Sequence, residues 1–108
     1  MELDLTSLRS KTLDIREELR SKGYRVQTVL LFGSHAKMKA SAESDIDLAF
    51  VSNDFGKDPF VESALLNRLL FGRISQAEGV AVPLRDYLDP FPLSPIVWEI
   101  KKHGIPLF

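Results

Sequence analysis

"LLFGSHAKMKASAESDIDLAF", residues 30–50, decides how this chain is read. It opens at the end of an apolar run, "YRVQTVLLF" from Tyr24 to Phe32, whose β-branched residues and closing hydrophobic stretch predict a strand entering a covered sheet. Gly33 punctuates the run, and "SHAKMKAS" follows with good helix formers behind Ser34, a residue suited to an N-cap, so a short helix is expected. "DIDLAFVS" then reads as a second strand, neighbour to the first. Two carboxylates, Asp45 and Asp47, stand in that apolar strand, and a buried strand has no packing use for them.

Working outward, Leu5, Leu8, Thr12, Ile15 and Leu19 recur at steps of three and four, one face of a first helix that Gly23 stops. In "KDPFVESALLNRLLFG" Asp58 is placed to cap, Pro59 suits the first helical position, and Gly72 ends the run after Leu70. "GVAVPL", from Gly79, is the third strand, with Pro83 marking a sheet edge or the end of pairing. A last helix is predicted in "LSPIVWEIKKHG", with Ser94 as cap, Pro95 in the first turn, and Lys101, Lys102 and His103 against the negative end of the dipole. The expected order is helix, strand, short helix, strand, helix, strand, helix. That is a small α/β or α+β domain, a mixed sheet of three to four strands with helices packed on it.

Composition sets the bounds. A length of 108 residues suits a single domain spanning 1–108. Fourteen basic against fifteen acidic residues leave a formal charge of −1, so the whole-molecule field carries no footprint for nucleic acid or an anionic membrane. The absence of cysteine excludes disulfides, thiolate zinc sites and Cys nucleophiles together. The opening "MELDLTSLRS" lacks the layout of a secretory signal, and no apolar stretch is long enough to span a bilayer, so a cytoplasmic location is the expectation.

Strand residues two apart project to one face, which puts Asp45 and Asp47 on one side and Ile46, Leu48 and Phe50 on the other. Carboxylates so close repel one another unless a cation lies between them. A hard oxygen pair suits Mg²⁺, which takes one or two protein carboxylates and completes its shell with water and substrate phosphate. Gly33 lets the backbone approach a ligand closely, and Ser34 offers a hydroxyl and free N–H groups to an anion. Phosphate at the turn and a metal at the acids would hold one ligand from both sides.

"GSHAKMKASAESDIDL" resembles the signature of the minimal nucleotidyltransferase family, in which Gly-Ser and Asp-x-Asp are separated by ten residues, here His35 to Ser44. That family lies in the DNA polymerase β-like nucleotidyltransferase superfamily and is known as the antitoxin partner of HEPN-domain proteins. The closing "GIPLF" also resembles the family's usual ending. The resemblance implies a nucleotidyltransferase-like fold, Gly33 and Ser34 on the triphosphate of ATP, Asp45 and Asp47 as Mg²⁺ ligands, and Lys37 as a further phosphate contact. The implied reaction is attack of an acceptor hydroxyl, on a protein, at the α-phosphate. The implied partner is a HEPN-type helical protein, with a homodimer as the other source of acceptor binding.

The sequence departs from the pattern at two places. The superfamily supplies a third carboxylate from a later strand, where this chain has Val80 or Ala81; Glu78 before the strand and Asp86 after it are the candidates, Glu78 first. The family usually has Gly where Met38 stands and Arg near Lys37. His35 reads first as a solvated residue of the short helix and second, since it follows Ser34, as a substrate contact; Trp98 reads as packing or partner surface, and Glu43 and Ser44 as loop residues bordering the aspartates. A rival reading follows from the missing acid: an antitoxin-like module that binds nucleotide and covers its partner without catalysing transfer.

Overall fold

The computed structural model describes residues 3–41 and 44–108. Glu43, expected to border the acids, lies outside the described residues. The elements are α1 (Leu5–Ser21), β1 (Val26–Phe32), β2 (Ile46–Ser52), α2 (Pro59–Leu70), β3 (Ala77–Pro83), α3 (Leu84–Leu88), α4 (Pro95–His103) and β4 (Ile105–Pro106). The strands form one mixed sheet in the order β3-β2-β1-β4. β1 pairs antiparallel with both β2 and β4, and β2 pairs parallel with β3.

The local signals place the long elements correctly. Asp4 accepts from the N–H groups of Thr6 and Ser7 at the start of α1, Asp58 from Val61 at the start of α2, and Ser94 from Val97 at the start of α4. Each side chain satisfies a donor that the helix geometry leaves orphaned. Leu8, Thr12, Ile15 and Leu19 bury the predicted face of α1, while Leu5 at its first turn stays 45% exposed.

Two apolar clusters sandwich the sheet. On one face Val29, Leu31, Ile46, Leu48 and Phe50 pack against Leu8, Ile15 and Leu19 of α1 and Leu66 and Leu70 of α2. On the other, Leu30, Phe32, Ala49, Val51 and Val82 pack against Val97 and Ile100 of α4. Strand alternation sorts these side chains, so β2 is buried on both faces over most of its length. The closing segment is fixed by long-range contacts: Leu107 N–H donates to Val29 O at 2.8 Å, Thr28 Oγ1 to Phe108 O at 2.8 Å, and Arg9 Nε to Leu107 O at 2.9 Å.

Two expectations need correction. No helix forms in "SHAKMKAS": residues 33–38 make turns only, with Lys37 N–H on Gly33 O, Met38 N–H on His35 O and Lys39 N–H on Ser34 O. The last two bonds, with Met38 left-handed at φ 57°, form the closure that ends helices, here applied after a single turn. The chain must reverse here, because Phe32 and Asp47 are paired neighbours on antiparallel strands. Met38 takes the backbone conformation that glycine adopts without strain, so the turn keeps its shape despite the side chain. The third strand also begins earlier than Gly79. Gln76 O accepts from Ile46 N–H at 2.8 Å, and pairing with β2 runs from Ala77 to Pro83.

β3 is an edge strand, and its exposed side is managed by one residue. Ile46 N–H bonding to Gln76 O turns the backbone groups of Glu78, Val80 and Val82 toward β2 and those of Gly79 and Ala81 outward. Asn67 of α2 meets Gly79 on both: its Nδ2 donates to Gly79 O at 3.1 Å and its Oδ1 accepts from Gly79 N–H at 2.9 Å. The amide thus occupies the place of a neighbouring strand, which protects the edge. A Cβ on Gly79 would come within 2.9 Å of Leu70 Cδ1, so the bare glycine also lets α2 sit this close. Asn67→Ala is expected to lower stability by about 1–3 kcal/mol, since it leaves two half-buried backbone groups unpaired. Denaturant titration measures this; a change below about 0.5 kcal/mol would mean the amide is dispensable.

Candidate active site

The Gly-Ser turn and the acidic pair meet at one end of the sheet. Gly33, left-handed at φ 72°, follows directly on β1, and Asp47 is the residue paired with Phe32 one position before it. The two are in contact: a Cβ built on Gly33 would lie 2.2 Å from Asp47 Oδ2. Asp47 shares a face with Ala49 and Val51, the face that α4 covers. Asp45 precedes β2 and is exposed.

The early start of β3 changes the status of Glu78. It lies inside the strand, as the register partner of Asp47 in the parallel ladder, so the two side chains project from the same face. Glu78, expected before the strand, is therefore a strand residue; Val80 and Ala81, the expected positions, stand opposite Ala49 and Phe50, farther along. Asp86 is elsewhere. It sits on α3, beyond the far end of β3, beside Arg85 at 3.7 Å.

The electrostatics agree with this grouping. Partial burial pushes the Asp47 carboxyl above the usual aspartate range, Glu78 and then Asp45 push it in the same direction, and His35 pulls the other way. Two like charges and a half-buried environment are what a cation would relieve. Among the described residues, no three of Asp, Glu, His or Cys converge closely enough to hold a metal ion by themselves. The donor set is instead one of hard carboxylate oxygens beside a turn open to an anion, which fits an Mg²⁺-type ion that keeps water and phosphate in its shell.

The remaining predicted residues are placed as follows. Ser34 is exposed, and the N–H groups of Ser34, His35 and Ala36 find no acceptor among the described residues. They begin the single turn, where outward donors favour an anion. Lys37 is not free: its ammonium pairs with Glu99 of α4, each side chain about one third exposed. The ammonium holds the Glu99 carboxyl below its ordinary range. Sequence reasoning missed this partner, since nothing local connects the turn to α4. Ser44 closes its loop on Ser41, accepting from Ser41 N–H at 2.9 Å.

The polymerase β nucleotidyltransferase family model ("Polymerase beta, Nucleotidyltransferase") matches residues 2–89, most of the chain. The chain belongs to this family. The match takes in the turn, both aspartates and Glu78, and stops before α4. No curated protein matches the sequence. Among solved structures, the nucleotidyltransferase-type fold recurs in a proposed nucleotidyltransferase from Sulfolobus solfataricus, with a TM-score of 0.59 at 18% identity over 94% of this chain and 77% of that one. The domain is of the nucleotidyl-transfer type. No helix among the described residues is long and apolar enough to cross a membrane.

Proposed function

We propose that this nucleotidyltransferase moves a nucleoside monophosphate from ATP to a hydroxyl on a protein. The observation that carries the reading is the contact between Asp47 and Gly33, with Glu78 in register beside it, because it joins the metal-type oxygens and the anion-type turn in one site. Gly33 and Ser34 bind the phosphate chain through backbone N–H groups and the Ser34 hydroxyl. Asp45 and Asp47 would hold Mg²⁺, which when bound neutralises charge on the phosphate oxygens. The acceptor oxygen bonds to the α-phosphorus, the bond to the β-phosphate oxygen breaks, and pyrophosphate leaves. Glu78 takes the acceptor proton. Lys37 forms a neutral pair with Glu99, so a phosphate contact from it requires phosphate to take the place of the carboxylate.

The acceptor comes from a partner, a HEPN-type helical protein as in a toxin-antitoxin pair, or from a second copy of the chain. Exposed apolar side chains in and after α3, Leu88, Phe91 and Leu93, support a protein surface here; Leu93 is fully exposed. The same observation supports the second reading, a module that binds nucleotide and covers its partner without transfer. Incubation with Mg²⁺, ATP labelled at the α-phosphate and the neighbouring gene product separates the two. Covalent label supports transfer, binding without label supports the module, and label arriving only from the γ-phosphate overturns the reaction type. Glu78→Gln is expected to lower the transfer rate by about two to four orders of magnitude with ATP affinity held within about threefold. A parent-like rate would remove Glu78 as proton acceptor.

A further inference from the structure

Buried polar atoms in folded proteins are nearly all hydrogen-bonded, and leaving one unpaired costs about 1–3 kcal/mol. This chain follows that rule where burial is deepest. The Glu62 carboxylate, 2% exposed, accepts from Gly56 N–H at 2.9 Å and Asp58 N–H at 3.2 Å. At the candidate site the enclosed Glu99 Oε1 faces the Lys37 ammonium. His35 Nε2 is different. It is enclosed and has no hydrogen-bond partner among the described residues.

Nothing in the turn calls for an imidazole. Its closure is made by backbone bonds at Lys37, Met38 and Lys39, and its apolar contact with the core comes from Ala36. His35 stands one residue past Ser34, the N–H groups of Ser34, His35 and Ala36 lack acceptors among the described residues, and Gly33 of the same turn meets the Asp47 carboxylate. A shielded nitrogen on the anion-type turn, without a hydrogen-bond partner among the described residues, calls for an acceptor that a ligand can bring.

We infer that His35 is a substrate-binding residue whose Nε2–H donates to a non-bridging phosphate oxygen of the nucleotide held by the Gly33–Ser34 turn. The inference rests on the nucleotide reading of that turn and adds to it a side-chain donor drawn from the turn itself. The cost of the unpaired nitrogen falls on the ligand-free protein and is recovered when phosphate arrives.

Calorimetric titration with Mg²⁺ and the α,β-methylene analogue of ATP tests this, with adenosine as the probe that lacks phosphate. His35→Leu is expected to weaken the analogue about tenfold or more, the loss of a hydrogen bond to a charged group, and to leave adenosine unchanged. The ligand-free Leu variant should melt at or above the parent temperature, because an unpaired buried nitrogen has been removed. His35→Gln, which can place an amide N–H near the same point, should restore affinity to within about threefold of the parent. Parent-like analogue binding by His35→Leu, with binding lost in Asp47→Asn, overturns the inference and leaves the nucleotide reading standing. Affinity that tracks melting temperature across His35→Leu and His35→Gln gives His35 a structural role and overturns it as well. No Mg²⁺-dependent binding of the analogue to the parent protein overturns the nucleotide reading and the inference together.

Discussion

Asp47→Asn should abolish transfer while making the ligand-free protein more stable at neutral pH. The activity loss follows from position: Asp47 is the carboxylate in contact with the turn and in register with Glu78. Electrostatic stabilisation of a transferring phosphoryl group is worth several kcal/mol, so removal of a charged ligand should lower the rate by about a thousandfold or more. The stability gain follows from the raised pKa of Asp47. Burial, Glu78 and Asp45 all disfavour the ionised form in the fold. A carboxyl raised in the native state favours folding most when both states are protonated, and that contribution is lost as pH rises from the ordinary aspartate range, about 4, through the raised value. The melting temperature of Asp47→Asn minus that of the parent should therefore grow across this window. Added Mg²⁺ should raise the parent's melting temperature at pH 7 and leave the variant's unchanged. A parent protein indifferent to Mg²⁺ would remove the metal assignment, and a variant less stable than the parent at pH 7 would contradict the electrostatic account.

That cluster of acids was only half legible in the sequence, for a physical reason. Asp47 stands in β2, whose apolar run is continuous, and Asp45 lies one residue before it, so their spacing of two marks them as a pair. Glu78 stands before a glycine in a segment with no strand pattern of its own, and it becomes a strand residue only through pairing with β2, an interaction remote in sequence. The same distinction runs through the fold. Caps at Asp58 and Ser94 are local chemistry and were readable. β4, two residues held by pairing to β1, and α3, five residues directly after a strand, have no periodicity to read. The composition of "SHAKMKAS" favours a helix, yet the antiparallel return of β2 fixes where the chain must go. Propensity yields to topology there. The salt link from Lys37 to Glu99 and the nitrogen of His35 that lacks a partner among the described residues depend on tertiary placement alone.

Gly33→Ala should cost activity far more than stability, and a second glycine provides the control. Gly33 and Gly23 are both left-handed, at φ 72° and 94°, so alanine at either site carries backbone strain of about 1–2 kcal/mol, partly offset by a less flexible unfolded chain. They differ in what a Cβ would meet. At Gly23 there is nothing within 4 Å; at Gly33 the new carbon would lie 2.2 Å from Asp47 Oδ2. The obstructed atom is the tip of a side chain, so the fold can accommodate the methyl by swinging the carboxylate aside. That motion displaces the residue assigned to hold the metal, and a misplacement of about 1 Å in a catalytic constellation costs on the order of a hundredfold in rate. Gly23→Ala and Gly33→Ala should thus show similar losses in denaturant midpoint, while only Gly33→Ala loses transfer and Mg²⁺-dependent nucleotide binding. Equal retention of activity in both variants would mean that Asp47 can leave the turn without consequence, and the site would then have to be sought away from the contact between them.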